Sequence, residues 1–105
     1  MLIFNTTFHT EEDVHKDYLT FMTEVYIPLA MKTGILSNPC FSRIYTHVHQ
    51  EGTSYSLQFK VENNDSFNEW MSERGELLNK RLTNKFGNKV TGFVTIMEEI
   101  TVQQP

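Results

Sequence analysis

Hydrophobic and polar positions along the chain alternate with two distinct periods. From Leu2 to His9 the period is two: Phe4, Thr6 and Phe8 fall on one side, and Ile3, Asn5, Thr7 and His9 on the other. That is the pattern of a strand with unlike faces. From Val14 the period lengthens to that of a helix, with Val14, Tyr18, Phe21, Met22, Val25 and Leu29 on one apolar face. Thr10, with Asp13 three residues on, forms a loose capping box, and Glu11, Glu12 and Asp13 put negative charge where the helix dipole favours it. Pro28 falls inside this pattern and is expected to kink the helix or end its regular part near Tyr26, because proline lacks the donor and clashes with the preceding turn. Gly34 is the expected stop.

Alternation returns from Phe41 to His49, a second strand, followed by the turn-like Gln50-Glu51-Gly52. Thr53 to Val61 is the clearest strand, with Tyr55, Leu57, Phe59 and Val61 alternating against Ser54, Ser56, Gln58 and Lys60, and the two strands are close enough to form a hairpin. Asn63-Asn64-Asp65-Ser66 supplies helix-capping side chains, and a second helix carries Phe67, Met71, Leu78 and Leu82 on one stripe with Trp70 and Leu77 at its margin. Gly75 interrupts it at a cost of about 1 kcal/mol relative to alanine; close packing and a tolerated surface glycine account for it equally well. Gly87 ends the helix, and Lys89 to Val102 forms the last strand.

Strand, helix, strand, strand, helix, strand is the order of a ferredoxin-like α+β fold, βαββαβ: a four-stranded antiparallel sheet with both helices on one face. The expectation is one such domain over residues 1–102 and a frayed tail at 103–105. The helix side of the sheet receives Phe4, Phe8, Ile44, Val48, Leu57, Phe59, Val94 and Ile96. The opposite face receives Asn5, Thr7, His9, Arg43, Tyr45, His47, Ser54, Ser56, Gln58, Phe93, Thr95 and Met97. This second set mixes aromatics and methionine with histidine, arginine, amides and hydroxyls, the blend of a pocket or a wet interface. A second copy covering that face would explain it, so a homodimer is expected. The pocket candidates are Asn5, Thr7, His9, Arg43, Tyr45, His47, Gln58 and Phe93.

Composition narrows the function classes. The 105 residues include 8 Phe, 4 Tyr and 1 Trp, enough apolar volume for a core without disulfides, and there is one cysteine, Cys40. A formal charge of −4 with scattered basic residues, mildly concentrated at Lys80, Arg81, Lys85 and Lys89, argues against nucleic-acid binding. No apolar run approaches a membrane span, and the first residues do not form a signal peptide, so a cytoplasmic protein is expected.

No cluster reaches the specificity of a catalytic or metal signature. His9, His47 and His49 gather towards one end of the sheet, but the third strand separates His9 from the other two, so no metal site is expected, and His15 is expected to be exposed. Cys40 lacks a local cation other than Arg43, and the adjacent Glu98 and Glu99 point to opposite faces. No cofactor is indicated.

Asn5-Thr6-Thr7-Phe8-His9, Tyr26-Ile27-Pro28, Gly52-Thr53-Ser54-Tyr55-Ser56-Leu57-Gln58-Phe59, Phe86-Gly87 and Phe93-Val94-Thr95-Ile96-Met97-Glu98 together resemble a family of short bacterial proteins known as a domain of unknown function. The resemblance spans nearly the whole chain. It implies a fold similar to the dimeric α/β-barrel superfamily, which includes cofactor-free monooxygenases, haem-degrading enzymes, isomerases and purely binding members. It carries over no catalytic residue. Two functions compete: a homodimeric small-molecule-binding or assembly module, and a cofactor-free monooxygenase- or isomerase-like enzyme in which His9 or His47 acts as a base and Asn5, Arg43 or Tyr45 orients an oxygenated substrate. Whether the chain is an enzyme stays open at this level.

Overall fold

The computed structural model describes residues 1–46 and 51–103. Four strands, β1 (Leu2–Thr10), β2 (Ser37–Ile44), β3 (Thr53–Val61) and β4 (Val90–Glu98), form one sheet in the order β2-β3-β1-β4 with every neighbouring pair antiparallel. Two helical segments, after β1 and after β3, pack on the face that carries Phe4, Phe8, Leu57, Phe59 and Val61. The ferredoxin-like α+β architecture expected from the element order is the one observed. β3 has the bounds its alternation gives; β2 begins at Ser37 rather than Phe41, and β4 spans Val90–Glu98 rather than running on to Val102. Val48 and His49 lie outside the described residues.

Each helix contains one wide turn. The first is α-helical over His15–Phe21, π-helical over Met22–Tyr26 and α-helical again over Ile27–Met31. The second runs Asn64–Trp70, Met71–Gly75 (π-helical) and Glu76–Phe86. A π turn holds about one more residue than an α turn, so the inward stripe slips by one position across it. Tyr18, Phe21 and Met22 are buried before the slip, but Tyr26 and Ala30 after it, in place of the expected Val25 and Leu29. The wide turn also explains why Pro28 does not end the helix. Regular α-helix stops at Phe21, Ile27 N–H bonds to Met22 five residues back, and the chain then carries the proline through to Met31. Gly34, at φ +76°, closes the segment by donating to Met31 O at 3.1 Å.

The first helix does not start as its sequence suggests. Thr10 is the last residue of β1 and donates to Glu11 O at 3.1 Å, so it caps nothing. A short 3-10 turn over Glu12–Val14 intervenes, and Asp13 pairs with Lys89 instead. That ion pair holds the Asp13 carboxyl below its ordinary value, through a hydrogen bond first. The second helix starts as expected: Asn63 accepts from Ser66 N–H at 2.8 Å.

Gly75 is buried, and a side chain there would meet the Met71 thioether and, at 2.9 Å, the Trp70 ring. It is a packing glycine, not a surface one. The space it leaves is filled by Trp70, 1% exposed, which sits edge-on to Phe4 (5.3 Å) and donates its indole N–H to Ala30 O at 2.9 Å. Replacing Trp70 with Phe keeps most of the ring and deletes that donor. We expect a loss of about 1–3 kcal/mol, the cost of a buried carbonyl left without its partner plus a small void, read by urea unfolding followed by circular dichroism; an unchanged midpoint would show that Ala30 O is satisfied some other way.

Buried phenols give the fold an alkaline limit. Desolvation pushes Tyr26, 3% exposed, up to about 12. It also raises the wholly buried Tyr18, with Tyr26 and Tyr55 adding to the effect. An unfolded phenol ionises near pH 10, so above about pH 10 the unfolded chain sheds protons that the folded chain keeps. Stability is therefore full below about pH 10 and falls as pH rises towards 12, by roughly 2–3 kcal/mol for Tyr26 alone. Urea titrations at stepped pH should show this decline, and Tyr26→Phe should flatten it; an identical slope in the variant would assign the alkaline titration elsewhere.

Candidate functional site

The sheet face opposite the helices is laid out by register. Pairing across the four strands gives the rows Cys40–Gln58–Asn5–Thr95, Ser42–Ser56–Thr7–Phe93 and Ile44–Ser54–His9–Thr91. Next to the first row, Lys60, Ile3 and Met97 lie side by side. Of the residues expected on this face, Asn5, Thr7, His9, Gln58 and Phe93 are brought together there. Asn5 is 8% exposed; its amide N–H donates to Thr7 Oγ1 at 3.1 Å, and its oxygen accepts from Ser56 Oγ at 2.5 Å. His9 shares a hydrogen bond with Ser54 through Nδ1 at 2.9 Å. Its ring has room because residue 52 is glycine: at φ +80°, a side chain on Gly52 would come within 2.8 Å of His9 Nε2. Thr7, His9, Ser54, Thr91, Gly92 and Phe93 line a shallow, half-open depression. Phe93 is 64% exposed over it.

Arg43 and Tyr45 are not on this face. β2 carries an irregularity between Ser37 and Cys40, where Asn38 adopts φ +52°, and this resets the parity of the strand. Phe41 then turns to the helix side, stacking on Tyr55 at 5.1 Å, and Arg43, opposite Tyr55, follows it. Ile44, expected on the helix side, lies on the open face instead. Tyr45 falls beyond the end of β2, largely exposed, with the Arg43 guanidinium over its ring at 5.5 Å. His47 lies outside the described residues. The described part of the open face then carries hydroxyls, amides and one imidazole together with Ile3, Cys40, Ile44, Phe93 and Met97; the Lys60–Glu99 ion pair at 3.0 Å sits at its margin. Among the described residues no three His, Cys, Asp or Glu side chains converge as metal ligands.

One polar cluster was not foreseen. His15 is half-buried rather than exposed: Nε2 and the Tyr55 hydroxyl share a hydrogen bond at 2.7 Å, and Nδ1 lies 3.8 Å from Glu12 Oε2. Thr53 donates to the other Glu12 oxygen at 3.1 Å. Burial raises the Tyr55 phenol, the Arg43 charge opposes that, and Glu12 and Tyr45 add to it. The signal was present as spacing, since His15, Tyr18 and Met22 are three and four apart on the inward stripe.

The open face, the sheet order and the two-helix layer define a ferredoxin-like α+β fold, one that is dimeric in at least one solved protein. The chain is similar in structure to an ethyl tert-butyl ether d (ethd) family protein from Bacillus halodurans c-125, with TM-score 0.74 and 16% identity over 95% of this chain and 100% of that one. It is also similar to a dimeric ferredoxin-like protein from an uncultured marine organism, with TM-score 0.61 and 13% identity over 98% of this chain and 100% of that one. By sequence, the chain belongs to the family described as domain of unknown function DUF4286, whose model matches residues 1–100. Among curated proteins none matches. No helix among the described residues is long and apolar enough to cross a membrane.

The His15–Tyr55 bond ties the first helix to β3 from the side away from the open face. We expect Tyr55→Phe to cost about 1 kcal/mol while keeping the Phe41 stack, and a double-mutant cycle with His15→Ala to return a coupling of about 1 kcal/mol. Additive effects of the two changes would mean that the bond contributes nothing to stability.

Proposed function

We propose that the chain is a cytoplasmic, homodimeric small-molecule-binding module in which two copies turn their open sheet faces towards each other. The observation that carries this reading is Phe93, 64% exposed on the edge strand β4 beside the hydrogen-bonded Asn5, Thr7 and Ser56. Phe93 and Met97 supply apolar contact, while the Asn5, Thr7, His9 and Ser54 rows supply donors and acceptors that a partner or a trapped ligand can use. The similar dimeric ferredoxin-like protein supports the pairing. The exposed Cys40 thiol suits a reducing compartment. The His9–Ser54 hydrogen bond supports a second reading, in which His9 acts as a base in a cofactor-free monooxygenase- or isomerase-like reaction and Asn5 orients the substrate. Arg43 and Tyr45 have no part in it.

Native mass spectrometry and light scattering of the purified protein test the proposal together. We expect a dimer, and we expect Phe93→Lys to weaken it at least tenfold, equivalent to about 1.4 kcal/mol or more. A defined extra mass on the dimer would identify the ligand class, and loss of its turnover in His9→Ala would favour the enzyme. A monomer without adduct would leave the open face simply solvated and the reading without support.

A further inference from the structure

β4 is an edge strand with apolar side chains on both of its faces. Phe93 and Met97, on the open face, are 64% and 36% exposed; Val94 and Ile96, on the helix side, are 48% and 39% exposed. The helix layer buries only Val90 of this strand. Past the last sheet contact, where Glu99 N–H donates to Met1 O at 3.1 Å, Ile100 and Val102, both 76% exposed, follow in the sequence at the parity of Val94 and Ile96, with the exposed Glu98 between the two apolar pairs. A face-to-face dimer through the open sheet covers Phe93 and Met97 and leaves this second stripe, together with the free strand edge, in water.

The areas point the same way. At these exposures, side chains of this size each offer on the order of 80 Å² of apolar surface. Phe93 and Met97 together therefore bring about 150 Å², short of the roughly 450 Å² of apolar surface within the roughly 800 Å² that each partner of a stable pair buries. Val94, Ile96, Ile100 and Val102 raise the total to about 500 Å². A backbone lying on the free edge adds main-chain hydrogen bonds and removes the aggregation hazard of an open, apolar edge strand.

We propose that residues 99–102 of each protomer lie along the free β4 edge of its partner, extending the partner's sheet by one strand and setting Ile100 and Val102 against the Val94 and Ile96 stripe. The occupant is a second copy of this chain, because the segment carries the apolar side chains at the alternation the stripe requires. The exchange is reciprocal, so a two-fold pair closes with neither β4 edge left free. It rests on the homodimer reading above and specifies where that dimer is tied.

Sedimentation equilibrium of the full chain tests it with two double variants, Ile100→Ser/Val102→Ser and Val94→Thr/Ile96→Thr, each checked for folding by circular dichroism. The first pair lies outside the sheet and the core, so it reports even where the second perturbs folding. We expect the dimer dissociation constant to rise at least tenfold in the Ile100→Ser/Val102→Ser variant, and the two pairs combined to cost less than their sum because they remove the same contact. A dimer whose dissociation constant is unchanged in that variant would overturn the exchange while leaving the face-to-face homodimer standing. A monomeric parent protein would overturn both.

Discussion

One additional residue in a single turn of each helix decides which side chains meet the sheet, and the packing follows from that phase. After the π turn at Met22–Tyr26 the inward position falls on Ala30, the smallest side chain available there. At the end of the π turn Met71–Gly75 it falls on Gly75. The bare Gly75 leaves room for the Trp70 ring and the Met71 thioether. The Trp70 N–H finds the Ala30 carbonyl, which lies in the last helical turn and so lacks a helical donor.

What the sequence makes legible divides along the same line. β3 was readable to the residue, and β1 to within Thr10, which was taken for a helix cap, because strict alternation has one solution when one face is buried. The helices were readable as helices, but the stripes drawn through Val25 and Leu29 missed the slip to Tyr26 and Ala30, since a π turn has no residue-type signature of its own. In β2 the parity was inverted by the irregularity at Asn38 and Pro39, two residues upstream of where the alternation seemed to begin. A reset of one position moved Arg43 off the open face and put Ile44 on it. The face of each residue was therefore read correctly on β1, β3 and β4 and inverted on β2, where the irregularity falls.

The exposed flank of β4 has a cause inside the core. Gly92 lies opposite Phe8, and a side chain there would come within 2.9 Å of the Phe8 ring, so the position is kept bare to make room for it. Phe8 in turn packs against Tyr18 and Tyr26 at about 6 Å, filling the space under the first helix. With that helix drawn over β1, and the second helix burying Leu78, Leu82 and Phe86, little is left to cover Val94 and Ile96. A chain that only had to be stable alone would place polar residues at such positions. Apolar ones on both faces of an edge strand mark surface that another molecule completes.

The start of β3 shows how this fold separates stability from chemistry. Successive residues of a strand point to opposite faces, so Thr53 and Tyr55 reach the helix side, where they bond Glu12 and His15, while Ser54 between them reaches the open side and bonds His9. Three neighbouring residues thus anchor a polar network on each face of one sheet. The helix-side network fixes where the first helix begins, which holds the end of β1 and with it the backbone of His9. The open-side network is free of that duty. Asn5, Thr7 and Ser56 bond to one another, and Ser54 bonds His9, on the side of the sheet away from Phe4, Phe8 and Trp70. A sheet built this way gives one face to the packing of the helices and leaves the other to the polar rows.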